Sequence, residues 1–116
     1  MSDIDVSRTA LIVMDFQNDI VDPKGAIGGQ GASDEVDRMN AIPNTAKAVS
    51  AARNAGMLVI HIGVAFRPGH PEIGPGSPLF QSIKDAGALV EGSWGAEFHP
   101  DLSPGDGEVV AIKRGV

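Results

Sequence analysis

The sequence predicts an α/β protein built on a mainly parallel β-sheet. Three short segments are continuously apolar, rather than alternately apolar and polar, which is typical of strands covered on both faces. A segment whose apolar residues recur at helical spacing separates the first two strands, and Gly56 follows it, where a helix usually ends. A strand, a helix and a second strand in this order form a right-handed unit with parallel strands.

The first predicted strand, residues 9–14 (TALIVM), runs directly into Asp15. Open parallel sheets bind ligands outside the carboxyl ends of their strands, so a carboxylate at this place is a candidate functional group. Strands also end where the chain meets water, and a charged residue is common there. Both interpretations of Asp15 are open at this point.

Residues 19–33 are rich in glycine and are predicted to form a loop. The loop is either a flexible surface connection or a segment that covers a bound substrate. It does not match a phosphate-binding loop, because neither a Gly-Lys-Ser/Thr sequence nor a G-x-G-x-x-G pattern opens a helix here.

The segments after this loop continue the strand and helix pattern. A helix is predicted over residues 37–55, where Ala46, Val49 and Ala52 recur at a spacing of three. The second strand follows at residues 57–64 (MLVIHIGV). It therefore lies beside the first strand in the same sheet.

Two excursions and a short helix separate the second strand from the third. Residues 67–78 contain four prolines and three glycines and are predicted to be an ordered excursion from the sheet. Residues 79–86 are predicted to form a short amphipathic helix that ends at Gly87. Residues 92–107 form a second excursion, which turns into the third strand at residues 108–112.

The third strand runs into two basic residues, Lys113 and Arg114. The ends of parallel strands share one edge of the sheet, so Asp15 and Lys113 could form an acid–base pair in one crevice. A carboxylate beside an ammonium stays ionised and can take a proton from a nucleophile. The ammonium in turn favours a negative charge on that nucleophile.

Receiver domains of response regulators fit part of this pattern, since they are of similar length and carry charged residues at their strand ends. They also need a phosphate-accepting aspartate at the end of a middle strand. The candidate strand here, LVIHIGVAF, ends without one, and Asp15 is followed by Phe16 rather than by a second acid. A receiver domain is therefore the weaker alternative.

Composition and charge exclude several classes of protein. The chain has 116 residues, enough for one domain, and its net charge of −6 argues against binding to nucleic acid or to an anionic membrane surface. It contains no cysteine, so these residues hold no disulfide, thiolate metal site or cysteine nucleophile. No apolar run approaches the roughly 18–20 residues that span a bilayer, and no signal-peptide pattern opens the chain, so the cytoplasm is the expected location.

Four motifs in order resemble the isochorismatase-like cysteine hydrolases. The stretch TALIVMDFQNDIVDPKG carries an Asp-x-Gln motif, and IPNTAKAVSAARNAGMLVIHIGVAFRPGHPE carries the Ala-Arg-x-Ala-Gly turn. The stretch GSWGAEFHPDLSPGDGEVVAIKRGV carries a Trp-Gly-x-Glu segment and a strand ending in Lys-Arg. The resemblance implies a Rossmann-like α/β/α sandwich with about six strands. Residues 1–116 would then be a single partial domain holding three of them.

The resemblance also implies an Asp–Lys–Cys triad, in which Asp15 is the general base and Lys113 its electrostatic support. The cysteine attacks an amide or related carbonyl to give a thioester, whereas isochorismatases of the family cleave a vinyl ether. In the family that cysteine lies well after the lysine strand, so we expect this sequence to be the N-terminal portion of a longer protein. The complete protein would hydrolyse a C–N bond of a small amide or carbamoyl substrate. The alternative is an inactive member of the fold, used for binding or assembly.

The resemblance places further residues near the substrate. Phe16 and Trp94 are candidates to line an aromatic pocket, although a lone tryptophan is equally a core or subunit-contact residue. Arg67 could bind a substrate carboxylate, or be a solvated charge in its loop. Gln17 and Asn18 either hold the substrate or cap the loop by hydrogen bonds. The family usually forms homo-oligomers, so a dimer or tetramer is expected.

No metal or cofactor is expected. The nicotinamidase branch of the family has an Asp-x-His metal site after the second strand, and the matching stretch here, AFRPGHPEIG, lacks it. His61 lies within the second strand and is interpreted as a packed, hydrogen-bonded histidine rather than a ligand.

Overall fold

A three-stranded parallel sheet forms the centre of the molecule in a computed structural model that describes residues 3–115. The strands are β1 (Ala10–Met14), β2 (Leu58–Val64) and β3 (Val109–Lys113), in the spatial order β1-β2-β3. The register places Met14 opposite Ile62. All three predicted strands are present within a residue of their expected ends, and the α/β class with a parallel sheet is confirmed.

Within residues 3–115, four α-helices and four short 3₁₀ turns lie before and between these strands. The helices are α1 (Asn18–Val21), α2 (Ala32–Arg38), α3 (Ala41–Asn54) and α4 (Pro78–Asp85). The 3₁₀ turns lie at Val6–Arg8, Gly28–Gln30, Trp94–Ala96 and Pro100–Leu102. Within residues 3–115, none of the helices has the length and hydrophobicity needed to cross a bilayer.

The helix predicted over residues 37–55 is wrong at its N-terminal end, where the chain forms two helices. Asn40 lies between α2 and α3 with φ 53° and ψ 38°, a left-handed conformation that no α-helix can continue through. Asparagine tolerates this conformation better than most residues, because its short side chain can bond locally. The helix predicted over residues 79–86 corresponds to α4, and Gly87 follows it with φ 64°.

The glycine-rich segment at residues 19–33 is more ordered than the predicted loop, because it includes most of α1, a 3₁₀ turn and the start of α2. A Cβ atom at Gly25 would overlap the backbone of Asn18 and Asp19. The absence of a side chain at Gly25 therefore allows the loop to pack closely against α1.

In the described part of the chain, residues 3–115, the core consists of two buried apolar clusters. One lies between the sheet and α3 and contains Val13, Val49, Ala52, Val59 and Leu102. The other lies beyond the carboxyl end of β2 and contains Val64, Phe66, Ile73, Ala88 and Leu89. The second cluster thus begins at Val64, the register partner of Lys113.

The other face of the sheet is largely uncovered by the residues that the structure describes. Side chains alternate between the faces along a strand, so Ile12 and Met14 point away from α3, as do their register partners on β2. Four large apolar side chains of this face are about half exposed: Ile12 at 51%, Met14 at 48%, Leu58 at 51% and Val109 at 45%. On β3 the α3 face is exposed as well, with Val110 and Ile112 each at 45%. The prediction that the strands are covered on both faces is therefore wrong for residues 3–115.

Candidate active site

Asp15 and Lys113 form an ion pair at the carboxyl edge of the sheet. Lys113 Nζ lies 3.1 Å from Asp15 Oδ2, and the two side chains are 28% and 31% exposed. Asp15 follows β1 and Lys113 ends β3, so the pair meets beside the end of the central strand. The structure therefore brings together two residues that lie 98 positions apart in the sequence.

The backbone leaves the sheet at Asp15. Its N–H donates to the carbonyl of Ile62 at 2.8 Å, which continues the bonding of β1 to β2 by one residue. Its φ of 65° then turns the chain away from the sheet. Such left-handed residues other than glycine are uncommon and often occur at functional sites.

The two carboxylate oxygens of Asp15 have different surroundings. Oδ2 accepts the hydrogen bond from Lys113, whereas Oδ1 is buried and has no hydrogen-bond partner among residues 3–115. An unpaired buried acceptor is unfavourable and uncommon in native structures. Oδ1 is thus free to accept a proton or a hydrogen bond from a group outside the described residues.

Backbone contacts hold Lys113 and Arg114 in place. The carbonyl of Lys113 accepts a hydrogen bond from the N–H of Ala65 at 3.1 Å. Arg114 Nη1 donates to the carbonyl of Ala65 at 2.9 Å and pairs with Glu91 Oε2 at 2.8 Å. Arg114 therefore anchors the end of β3, while the Lys113 ammonium is left to contact Asp15.

Gln17 and Asn18 bond to the backbone of other segments. Gln17 is fully buried; its Nε2 donates to the carbonyls of Val64 and Ala96, both at 2.8 Å, and its Oε1 accepts from the N–H of Val64 at 2.8 Å. Asn18 Nδ2 donates to the carbonyl of Trp94 at 2.9 Å. Both amide hydrogens of Gln17 are thus in use, and contact of Gln17 or Asn18 with a substrate is still a prediction.

Asp19 carries a buried carboxylate for which the sequence analysis predicted no role. Its Oδ1 accepts from the N–H of Ala26 at 3.0 Å and its Oδ2 from the N–H of Leu89 at 2.7 Å. A Cβ atom on Gly95 would collide with this carboxylate. No local pattern reveals such a site, because one donor lies 7 residues away and the other 70.

The aromatic residues predicted to line a pocket lie in different surroundings. Phe16 is partly buried and packs against the cluster beneath α3, and its carbonyl accepts from the N–H of His99 at 2.8 Å. Trp94 is 47% exposed in its 3₁₀ turn. Their contact with a substrate is still a prediction.

Arg67 is paired with a carboxylate of its own loop. Its Nε donates to Glu72 Oε2 at 3.0 Å, and its backbone N–H approaches the same carboxylate. Burial acts to raise the pKa of Glu72, but hydrogen bonds from its own backbone and from Arg67 outweigh it and lower the pKa. Glu72 thus pairs with the Nε edge of Arg67, and contact of Arg67 with a substrate is still a prediction.

A second charged cluster lies away from the ion pair, around Glu108. His61 Nε2 contacts Glu108 Oε1 at 2.8 Å, Arg53 donates two hydrogen bonds to this carboxylate at 2.8 and 2.9 Å, and Gly105 N–H donates at 2.7 Å. The hydrogen bond from Arg53 is the largest cause that holds the pKa of Glu108 far below its usual range, followed by that from Gly105. His61 is fully buried and bonds to Glu108 through Nε2, whereas its Nδ1 has no hydrogen-bond partner among residues 3–115.

Among residues 3–115, no three side chains of histidine, aspartate or glutamate converge in a way that could hold a metal ion. Two open crevices, of about 290 and 220 Å³, share Arg114 as a lining residue. Within the described residues, neither crevice is lined by Asp15 or Lys113.

Comparison with known proteins gives consistent results. A family model described as the isochorismatase domain matches residues 9–116. Ureidoacrylate amidohydrolase RutB from Variovorax paradoxus (strain S110) is 32% identical over 119 residues, covering 92% of this chain and 47% of the relative.

Solved structures show the same likeness. An isochorismatase family protein from Desulfovibrio vulgaris is 30% identical with a TM-score of 0.71, covering 90% of this chain and 51% of the other. N-carbamoylsarcosine amidase from Thermoplasma acidophilum has a TM-score of 0.62, with coverages of 90% and 50%; at 23% identity it supports the fold alone. The chain spans about half the length of these relatives.

Proposed function

This chain belongs to the isochorismatase family, and we propose that the complete protein is a hydrolase acting on a C–N bond of a small amide or carbamoyl substrate. The curated relative described as an amidohydrolase supports this reaction class over vinyl-ether cleavage. The net charge of −6 favours a small-molecule substrate over nucleic acid.

The main support for the proposal is that the two carboxylate oxygens of Asp15 have different hydrogen-bond contacts. Lys113 contacts Oδ2, which keeps an ammonium beside the reacting groups, while Oδ1 has no partner among residues 3–115. A general base needs an acceptor atom that can reach the proton it removes. Asp15 Oδ1 is that atom in our proposal, and Lys113 stabilises the negative charge that develops near it.

We assign the nucleophile to a cysteine outside this sequence, which contains none. Asp15 takes the thiol proton, and the thiolate attacks the substrate carbonyl carbon to form a C–S bond. As the C–N bond breaks, the leaving nitrogen takes the proton back from Asp15. Asp15 then removes a proton from a water molecule, which attacks the thioester carbonyl carbon. As the C–S bond breaks, the acid is released and Asp15 returns the proton to the sulfur.

Other properties of the complete protein remain proposals. We place it in the cytoplasm, and we propose a homo-oligomer, either a dimer or a tetramer. Trp94 and the exposed apolar side chains of the sheet support burial of further surface in the complete protein, since contiguous exposed apolar patches commonly mark contact sites.

An ammonia-release screen over small amides and carbamoyl compounds tests the proposed reaction in the complete protein. We expect turnover by the wild type, loss of roughly 100-fold or more in Asp15→Asn, and wild-type rates in Asp37→Asn, which changes an exposed aspartate on α2. Equal rates in the two variants would contradict the role of Asp15. No turnover of any substrate would favour the inactive binding or assembly protein.

A further inference from the structure

The bonding between β1 and β2 continues past the residue at which β1 ends. The register pairs Met14 with Ile62, and Asp15 N–H bonds to the carbonyl of Ile62 before the chain leaves the sheet. In a strand, residues two apart direct their N–H and C=O groups to the same side. The N–H and C=O of Val64 therefore point toward the side on which β1 lies, but β1 has already ended and offers no backbone partner for them.

The side-chain amide of Gln17 takes the place of the missing strand. Its Oε1 accepts from the N–H of Val64 and its Nε2 donates to the carbonyl of Val64, both at 2.8 Å, so it makes the two bonds that a neighbouring backbone would make. The remaining amide hydrogen bonds to the carbonyl of Ala96. The two bonds to Val64 are buried, where an unpaired N–H or C=O would be strongly unfavourable, and the bond to Ala96 is partly buried.

The opposite side of β2 is bonded to the strand that carries the lysine. Val64 is the register partner of Lys113, and the next residue, Ala65, donates its N–H to the Lys113 carbonyl. The end of β2 thus lies between Gln17 on one side and Lys113 on the other. Asp15 reaches Lys113 beside this end.

We propose that Gln17 is a positioning residue for the Asp15–Lys113 pair, rather than a residue that binds the substrate. Its amide replaces the β1 backbone at Val64, which lets the chain turn out of the sheet at Asp15 while the end of β2 stays paired. This inference rests on the proposed function, because it assigns Gln17 an effect on the catalytic step.

Gly63 provides the space that this arrangement needs. A Cβ atom there would lie 3.1 Å from Gln17 Cδ and Nε2, closer than ordinary van der Waals contact. The Gln17 amide therefore lies close to the β2 backbone at Gly63. The methyl group of an alanine at this position would displace the Gln17 amide without removing it. Gly63→Ala is therefore a second way to disturb the hydrogen bonds between Gln17 and Val64.

Kinetics of the complete protein separate positioning from substrate binding. We expect Gln17→Glu to lower kcat roughly 10- to 100-fold with KM within about 3-fold, because it loses both amide donors and shifts the end of β2. Gln30→Glu is the matched control, since Gln30 is exposed and its side-chain amide donates to the carbonyl of Ala26. A Gln17→Glu variant with wild-type kcat, or with a raised KM and unchanged kcat, would overturn the proposal.

Hydrogen exchange tests the pairing independently of the reaction. We expect Gln17→Met to speed exchange of the Val64 amide roughly 10-fold, with the Phe66 amide, which bonds to Leu89, unchanged. If Gln17→Met does not fold, Gly63→Ala is measured against Gly74→Ala, at which a Cβ atom meets nothing within 4 Å. Unchanged protection of Val64 in the folded variant would exclude the pairing. Full activity in Asp15→Asn would instead count against the proposed function.

Discussion

Arg53, near the end of α3, holds Glu108, the residue before β3, by two hydrogen bonds of 2.8 and 2.9 Å. The same carboxylate contacts the buried ring of His61 on β2. One side chain thus joins the helix layer to two strands of the sheet. Because these contacts favour the ionised form of Glu108, they make the stability of the fold depend on pH.

We expect Glu108→Gln to destabilise the protein by about 1–3 kcal/mol near neutral pH. The pKa of Glu108 is lowered in the folded state, so its contribution is fully present above the unfolded value of about 4.3 and declines as pH falls below it. Denaturant unfolding of both proteins at pH 7 and pH 3 measures this difference. An equal loss at both pH values would contradict it, and Glu35→Gln, in an exposed ion pair, should have little effect at either.

Replacement of Lys113 by methionine should lower kcat of the complete protein roughly 100-fold. The variant keeps much of the side-chain volume but removes the ammonium that lies 3.1 Å from Asp15 Oδ2. Steady-state kinetics over the same amide substrates give the measurement. Lys47→Met, on the exposed side of α3, is the control. Wild-type kcat in Lys113→Met would remove the lysine from the mechanism.

The Asp19→Asn variant should lose about 1–3 kcal/mol of unfolding free energy. Both carboxylate oxygens of Asp19 accept backbone N–H groups, so an amide nitrogen would face a donor at one of them. Chemical denaturation compared with Asp37→Asn checks this expectation. A loss no larger than that of the control would mean that the buried site adapts to the amide.

The Gly95→Ala variant should also be destabilised, by about 1–3 kcal/mol, because its methyl group would collide with the Asp19 carboxylate. Thermal unfolding alongside Gly76→Ala, where a Cβ atom meets nothing within 4 Å, isolates the collision from the general effect of losing a glycine. Equal melting temperatures in the two variants would show that the segment around Gly95 accommodates the methyl group without loss of stability.

The strands were predictable because burial leaves a local signature in the sequence. Continuous apolar runs predicted β1, β2 and β3, and the rule that parallel strands end at one edge placed Asp15 near Lys113. These inferences depend only on neighbouring residues and on the geometry that all parallel sheets share.

The remaining features depend on contacts distant in sequence or on small conformational preferences. Asn40 breaks the predicted helix, although asparagine also occurs within helices, so its left-handed conformation could not be read from its identity. The roles of Gln17 and Asp19 depend on backbone groups 47 and 70 residues further along the chain. The exposure of strand side chains reflects which layers pack on the sheet, and an apolar run does not reveal that.

The left-handed backbone at Asp15 restricts which substitutions this position tolerates. Glycine adopts this conformation without penalty and asparagine and aspartate tolerate it, whereas other L-residues are penalised by roughly 1–2 kcal/mol. Glutamate, which has the same charge and one more methylene, would meet this penalty and would also move its oxygens relative to Lys113. Replacing Asp15 by glutamate would therefore keep the charge but disturb the site. Of the two acidic residues, we expect only aspartate to fit both the left-handed turn and the ion pair with Lys113.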